Sequence, residues 1–253
     1  MSPAPPLPLL QPGAPFPPAA QAWPLDSPAP GLLAAGGALD VPTLHAAYSN
    51  GIFPWFSAGE PLLWWSTDPR MVLAVARFRL HRSLRRTLAR VQRDPRCDIR
   101  MDSAFAQVMA ACARAPRRGQ AGTWIGPAMR KAYAALHAAG HAHSVELWVD
   151  GQLAAGLYCV AIGRAVFGES MFTTVTDGSK IALAALVAWC RHHGLPLIDC
   201  QQQTGHLASL GAAPMARAEF LHQVQALVQQ PAPPWRFEPI YWSELLNHCP
   251  DAR

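Results

Sequence analysis

The chain has 253 residues, a formal net charge of +5 and a pI near 9.1, and hydrophobic residues make up 51% of it. This length allows one large domain or two smaller ones, and the apolar content excludes a disordered chain. No apolar run reaches the roughly 18 residues of a transmembrane helix, and the N-terminus lacks the basic start of a secretory signal. Six scattered cysteines without a CxxC pair indicate reduced thiols in a cytoplasmic protein.

The composition changes at about residue 30. Residues 1–30 are rich in proline and alanine, and we expect this leader to be extended or mobile and to form no sheet, because proline has no N–H to donate. Residues 31–75 are predicted to form a small N-terminal domain, in which Pro42–Asn50 is a short helix. The aromatic residues that follow this helix are expected either to form a small core or to pack at a domain interface, or, at Trp55, to form the wall of a ligand cavity.

A basic segment runs from Arg77 to Arg100, with nine arginines and two aspartates. Apolar residues at helical spacing predict an amphipathic helix over Leu80–Val91, with arginines along its outer side. The predicted helix itself contains no acidic residue that could pair with these arginines at i,i+4. The stripe is either a solvated helix face or a contact surface for nucleic-acid phosphates, and we favour the second interpretation.

The rest of the chain predicts alternating helices and strands. Helices are expected from a cap at Asp102 to Ala113, and over 127–139, 179–193, 206–211 and 217–229. Strands are expected over 144–149, 153–161, 165–172 and 197–201, of which the first three form an antiparallel meander. Aromatic residues of the C-terminal tail are expected to pack on the domain. This order of elements predicts an α+β fold.

Glu169 is the acidic residue of the apolar segment Val166–Phe172. Strand alternation places its side chain on one face with Phe167 and Met171. A carboxylate in such surroundings is costly to bury unless it has a partner or a function. It is therefore either a structural group, bound by backbone N–H groups or by Arg164, or part of a functional site.

A second apolar strand, 197–201, carries Asp199 and Gln201 two residues apart, which places them on one face. They form either a structural network at the end of the strand or the polar wall of a cavity. A carboxylate and an amide that face an apolar cavity suit aminoacyl transfer from an ester to an amine, because the amine must lose a proton and an oxyanion must be stabilised. His141 and His143 have no third ligand nearby, so no metal site is predicted.

Ten segments between Gly31 and Phe220 form a pattern of fixed order: Gly31–Gly37, Gly51–Phe56, Trp64–Ser66, Asp68–Arg70, Gly122–Ile125, Gly140–Glu146, Gly168–Phe172, Ser179–Lys180, Ile198–Gln201 and His206–Gly211. In these segments the sequence resembles the leucyl/phenylalanyl-tRNA–protein transferase family. The resemblance implies transfer of Leu, Phe or, less well, Met from aminoacyl-tRNA to the N-terminal Arg or Lys of acceptor proteins. The products are then degraded by the N-end rule pathway.

The resemblance also implies a fold. It implies that residues 76–253 form a catalytic domain similar in fold to acyl-CoA N-acyltransferases. It also implies that this domain works without coenzyme A or any other cofactor. We expect a cytoplasmic monomer that does not contact membranes. An acyl-CoA-dependent acetyltransferase would need a glycine-rich pyrophosphate loop, and we find none in the sequence. A non-catalytic RNA-binding module would leave the acidic residues of the two strands without a purpose.

The site residues follow from the same resemblance. It implies a catalytic centre of Glu169, Asp199 and Gln201, in which Asp199 orients Gln201 and Gln201 acts on the amine. The aminoacyl pocket that it implies consists of Glu169 together with Trp55, Trp124, Leu157, Val166, Met171, Leu186 and Ile198. The acceptor stem of the tRNA would contact Arg82, Arg85 and Arg86. Val166 stands where the family commonly has Phe, so the pocket shape and the ranking of Leu, Phe and Met stay open.

Overall fold

The computed structural model describes residues 6–57, 59–115 and 123–247, and within them the strands form two sheets. The smaller sheet has four strands in the order β1-β2-β4-β3. These strands are Leu9–Leu10 (β1), Leu32–Gly36 (β2), Phe53–Pro54 (β3) and Leu63–Trp65 (β4).

The prediction that the leader forms no sheet is wrong at β1. Leu9 and Leu10 are not prolines, and they pair in parallel with β2. Further along the leader, Ala19 and Ala22 are buried in the core beneath this sheet. Residues 1–5 of the leader and 248–253 of the tail lie outside the described residues, as does Gly122.

The larger sheet has seven strands in the order β11-β5-β10-β9-β8-β7-β6. They are Arg70–Ala74 (β5), Cys97–Met101 (β6), Ala142–Val149 (β7), Gln152–Ile162 (β8), Ala165–Thr173 (β9), Leu197–Gln201 (β10) and Ala213–Met215 (β11). The predicted meander is confirmed as β7-β8-β9, and the sheet together with the helices around it confirms the α+β class. The division into domains stays a prediction, and its boundary after residue 75 lies beyond β5, where the chain has already entered the larger sheet.

Each predicted helix is present to within three residues at either end, and a short helix near the C-terminus was not predicted. They are Val41–Ser49 (α1), Arg82–Val91 (α2), Phe105–Arg114 (α3), Pro127–Ala138 (α4), Gly178–His192 (α5), Gly205–Ser209 (α6), Arg217–Val228 (α7) and Ser243–Leu246 (α8). Asp102 does not cap α3, since its carboxylate accepts from the backbone N–H of Ser144. The N–H of Ala104 at the start of α3 instead donates to Glu146 of β7 at 2.7 Å. Within the described ranges, no helix is both long and apolar enough to cross a membrane.

Helices cover both faces of the larger sheet and make two apolar cores. On one face pack α1, α3, α4 and α7, and on the other pack α2, α5 and the C-terminal segment. Every residue from Ile181 to Cys190 in α5 is buried, which makes this helix the centre of the second core. As predicted, the tail packs on the domain, where the Trp235 ring stacks on His143 at 4.0 Å.

The strands β9 and β10 run parallel in the middle of the larger sheet. They pair at Val166 with Ile198 and at Phe167 with Asp199, and the pairing does not continue beyond these residues. Two neighbouring strands that stop pairing leave backbone and side-chain groups free to line a cavity. This opening is where the sheet places the acidic residues that the sequence singles out.

Candidate active site

A β-bulge on β9 sets the direction of the Glu169 side chain. Gly168 and Ser170 pair with consecutive residues of β8, so Glu169 is the extra residue without a partner on that strand. A bulge interrupts strand alternation and redirects a side chain. The prediction that Phe167, Glu169 and Met171 share one face is therefore wrong, because Phe167 packs in the core with α1 and Met171 packs against the core with α5.

A second bulge lies at the same level on β10. Asp199 and Gln201 pair with consecutive residues of β5, which leaves Cys200 as the extra residue. Gln201 has a φ of 58°, in the left-handed region that non-glycine residues rarely adopt. The strand therefore turns out of the sheet at Gln201, toward the opening beside β9.

The two bulges bring Glu169 and Gln201 into contact. Gln201 Nε2 donates to Glu169 Oε1 at 2.7 Å, and the Tyr48 hydroxyl donates to the same oxygen at 2.7 Å. The Tyr133 hydroxyl lies 3.2 Å from Oε2, and the two tyrosine hydroxyls are also in contact with each other. Since each hydroxyl has one hydrogen, the two tyrosines share two hydrogens among these three contacts. The alternative partner Arg164 instead donates to the carbonyl of His193. Glu169 is thus held by side chains from α1, α4 and β10.

Burial dominates the protonation of this cluster. It raises the pKa of Glu169 from 4.5 to about 7, and the three hydrogen bonds offset the effect of burial only in part. Burial also raises the pKa of Tyr48 and of Tyr133 well above 10, so both hydroxyls keep their protons at neutral pH. Near pH 7 Glu169 is therefore divided between its charged and neutral forms, which is the property of a group that exchanges protons during a reaction.

Asp199 lies behind Gln201 and has no exposed surface. Its two oxygens accept from the guanidinium of Arg70 at 2.8 and 2.7 Å. Oδ1 also accepts from the backbone N–H of Gln201 at 2.8 Å. Asp199 therefore holds the backbone of Gln201 and does not reach the surface of the cavity.

Glu169 forms part of the wall of a cavity of about 800 Å³ between β9, β10, α5 and α6. Of the predicted pocket residues, Leu157, Met171, Leu186 and Ile198 line this cavity. Other lining residues were not predicted: Tyr158, Gly168, Ser170, Leu183, Cys200, Thr204, Gly205, His206 and Leu207. Buried leucines make its inner end apolar, whereas Thr204 and His206 are exposed at its rim.

Three predicted pocket residues lie elsewhere. Trp55 packs edge-on against Trp65 at 5.4 Å, and its carbonyl accepts from the Trp65 indole. Trp124 is partly buried against the core on the α1 side of the sheet. Val166 is buried in the α5 core beside Ile198, its partner on β10, and does not line the cavity. The structure does not bring these three side chains to the cavity wall.

The arginines of α2 form a separate surface. Arg82 and Arg86 are exposed, whereas Arg85 is partly buried and donates to the carbonyl of Leu246 at 2.7 Å. The two aspartates of the segment pair with other arginines, at Arg96–Asp94 and Arg100–Asp98. In the part of the chain that the structure describes, neither Arg82 nor Arg86 takes part in an ion pair, so the outer face of this helix is a cationic surface.

The residues that sequence reasoning missed at this site are Tyr48, Tyr133 and Arg70. The two tyrosines sit on helices that read as ordinary amphipathic segments, so no local pattern marks their hydroxyls as partners of Glu169. Arg70 belongs to the Asp68–Arg70 segment of the resemblance, and that segment is the one signal that pointed to it. Across residues 6–57, 59–115 and 123–247, no group of three or more side chains suits a metal ion.

Comparison with known proteins finds matches over nearly the whole chain. The family described as leucyl/phenylalanyl-tRNA protein transferase matches residues 72–225, and its N-terminal domain matches residues 37–68. A leucyl/phenylalanyl-tRNA–protein transferase from a Polaromonas species is 61% identical over 242 residues, which are 96% of this chain and 95% of that protein. The one from Albidiferax ferrireducens is 60% identical over 243 residues, or 96% of each chain.

Among solved structures the similarity is much lower. A GCN5-related N-acetyltransferase from Kribbella flavida matches with a TM-score of 0.36 and 11% identity, over 68% of this chain and 60% of that chain.

Proposed function

Since the chain belongs to the leucyl/phenylalanyl-tRNA–protein transferase family, we propose that it moves Leu or Phe, and Met less well, from aminoacyl-tRNA to the N-terminal Arg or Lys of acceptor proteins. The acceptor is thereby marked for degradation by the N-end rule pathway, and the enzyme acts as a cytoplasmic monomer. The observation that carries this proposal is the contact between Glu169 and Gln201 at the wall of a largely apolar cavity.

The cavity suits an apolar amino-acid side chain. Its inner wall is made of Leu157, Leu183, Leu186 and Ile198, all of which are buried. A pocket of this kind distinguishes side chains by shape, and each methylene changes the binding free energy by about 1–3 kcal/mol. We therefore expect overlap among Leu, Phe and Met, together with rejection of charged side chains.

Gln201 orients the attacking amine. One N–H of its amide is bound to Glu169, and within the described residues no hydrogen bond ends on its Oε1. This oxygen can accept from the amine of the acceptor while the second amide N–H remains to stabilise the oxyanion. Asp199 contributes by fixing the Gln201 backbone.

The reaction forms a C–N bond between the amine and the ester carbonyl and breaks the C–O bond to the terminal ribose. The acceptor ammonium loses one proton before attack, the nitrogen loses a second as the amide forms, and the departing ribose oxygen gains one. Glu169, with a pKa of about 7, is suited to take the first proton at neutral pH. Its Oε2 accepts one long hydrogen bond, from Tyr133, and so keeps capacity to accept another.

The arginine face of α2 binds the acceptor stem of the tRNA in this proposal. Arg82 and Arg86 are exposed and face solvent, as phosphate contacts require. Arg85 is a weaker candidate, because its guanidinium already donates to Leu246. Phosphate contacts carry no sequence information, so one surface can serve tRNAs for different amino acids.

The test is transfer of labelled leucine from Leu-tRNA to a peptide that begins with Arg, without ATP, acetyl-CoA or added metal. We expect label in the peptide. The matched control is the same peptide with an acetylated N-terminus, which has no free amine and should stay unlabelled. Absence of transfer with intact Leu-tRNA and folded protein would refute the proposed function.

A further inference from the structure

Arg70, the first residue of β5, has no part in the reaction as proposed above, yet its guanidinium is fully buried next to the site. We propose that Arg70 is a positioning residue, which fixes the left-handed backbone of Gln201 through Asp199 and thereby aims the Gln201 amide at Glu169. This inference rests on the proposed function of Gln201 and assigns to the reaction a residue that never touches the substrate.

Arg70 binds Asp199 with the geometry that only an arginine provides. Nε donates to one carboxylate oxygen at 2.8 Å and Nη2 donates to the other at 2.7 Å. Two parallel hydrogen bonds fix both the distance and the plane of the carboxylate, whereas a lysine ammonium would supply the charge without this fork. The orientation of Asp199 is therefore set by the orientation of Arg70.

The guanidinium itself is held from several elements. Nη1 donates to the carbonyl of Gly51 at 3.2 Å, just after α1. The guanidinium carbon lies 4.7 Å from the ring centre of Phe53 on β3 and 4.7 Å from that of Phe220 on α7. Residues of the smaller sheet and of α7 therefore fix the position of the Arg70 guanidinium, and the guanidinium in turn fixes Asp199 on β10.

Gln201 needs such support because its backbone conformation is unfavourable. A φ of 58° at a non-glycine residue persists when surrounding contacts hold it in place. Here the Gln201 N–H donates to Asp199 Oδ1 at 2.8 Å, and the Gln201 carbonyl accepts from Thr67 Oγ1 at 3.2 Å. Thr67 therefore holds the Gln201 backbone directly, and Arg70 holds it through Asp199. Together these contacts fix the direction in which the Gln201 side chain points.

The first test is Arg70→Lys, which keeps the buried charge and removes the fork. We expect kcat for transfer to fall about 100-fold, because small misplacements of a catalytic group have effects of this size. The KM for aminoacyl-tRNA should stay within about twofold, since the cavity and α2 are untouched. The matched control is Arg217→Lys, because Arg217 donates to the carbonyl of Ser66, next to this segment, without contacting Asp199. In this control kcat should change little.

The pH dependence of transfer separates positioning from folding. The side-chain amide of Gln201 donates to Glu169 and stabilises its charged form. Displacement of this amide should therefore raise the pKa of Glu169 and move the acid limb of the kcat profile to higher pH. Tyr48 of α1, Tyr133 of α4 and Asp199 of β10 also face Glu169, and they are unchanged in Arg70→Lys. The limb should stay in place in the Arg217→Lys control.

Two further variants keep the proposal testable if Arg70→Lys does not fold. Thr67→Val removes the hydroxyl that donates to the Gln201 carbonyl at nearly constant volume, and we expect kcat to fall several-fold with the same upward shift of the limb. Asp199→Asn should by itself lower kcat. Where Arg70→Lys does fold, combining the two substitutions should add little, because both act through the same contact between Arg70 and Asp199.

The outcomes are distinct. If the wild-type protein transfers leucine and these variants keep its kcat and acid limb while losing only thermal stability, Arg70 is a structural residue and the inference is wrong. Fully additive losses in the double variant would also contradict it. If the wild-type protein itself transfers nothing, the proposed function fails instead.

Discussion

The charge of Glu169 has opposite consequences for activity and for stability. In the folded protein burial raises its pKa from 4.5 to about 7. At 1.36 kcal/mol for each pKa unit, this shift corresponds to a cost of about 3 kcal/mol for keeping Glu169 charged in the folded state. The reaction needs the charged form. The protein is therefore predicted to be less stable at the pH values at which it is more active.

The direction with pH follows from proton binding. Between pH 4.5 and 7 the folded protein keeps a proton on Glu169 that the unfolded chain has lost, so the free energy of unfolding decreases as the pH rises through this window. Activity increases over the upper part of the same window. With a pKa of about 7, about one tenth of the Glu169 side chains are charged at pH 6 and about nine tenths at pH 8.

Glu169→Gln tests both consequences, because glutamine keeps the volume and an acceptor oxygen without the charge. We expect transfer to fall by about 10²–10³-fold at pH 8, as for loss of a group that takes a proton. Relative to wild type, the variant should be stabilised by up to about 3 kcal/mol at pH 8 and by little at pH 5. Kinetics of leucine transfer and urea unfolding at both pH values measure the two effects.

Glu219→Gln is the matched control, since Glu219 is exposed on α7, and it should change neither quantity. If Glu169→Gln retained wild-type transfer at pH 8, Glu169 would not be the proton acceptor. If the variant were destabilised equally at pH 5 and pH 8, the cost assigned to the buried charge would be wrong.

Three further predictions concern the remaining parts of the site. Gln201→Ala should abolish transfer while the Kd for aminoacyl-tRNA, measured by filter binding, stays nearly unchanged; a large loss of binding would contradict its assigned role. Arg82→Ala combined with Arg86→Ala should weaken tRNA binding and reduce the slope of log K against log salt concentration by about 2. In the control Arg100→Ala the slope should stay unchanged, because Arg100 is paired with Asp98. Leu186→Ala should cost about 2–5 kcal/mol of stability and raise transfer of Phe relative to Leu, and an unchanged ratio in competition assays would place the amino-acid side chain elsewhere.

Much of the secondary structure could be predicted because it is encoded locally. The period of the apolar residues and the prolines and glycines at the ends of segments predict the helices, and alternation with a tight turn predicts the meander. The short strands β5, β6 and β11 were not predicted, because five or fewer residues carry little periodicity and each strand is defined by a distant partner. The pairing of Leu9 and Leu10 with β2 was missed for the same reason.

At the candidate site, the sequence singled out Glu169 and Gln201 but did not predict that their side chains are in contact. Regular alternation cannot foresee a bulge, and the bulge at Glu169 determines which face its side chain takes. Tyr48 and Tyr133 lie 36 or more positions from Glu169 in the chain, and Arg70 lies 129 positions from Asp199, which holds Gln201. Trp55 and Trp124 do not line this cavity, and their assignment to the aminoacyl pocket stays a prediction.

The sequence by itself determined the α+β class, the positions of most helices, the family of this protein and the two acidic strands of the candidate site. These properties follow from local periodicity and from residue types at fixed spacing. Only the tertiary structure decided that Glu169 titrates near neutral pH, that Asp199 is neutralised by Arg70, and that Gln201 meets Glu169 at 2.7 Å. The physical reason is that burial, charge pairing and hydrogen-bond geometry depend on groups that the folded chain brings together from distant parts of the sequence.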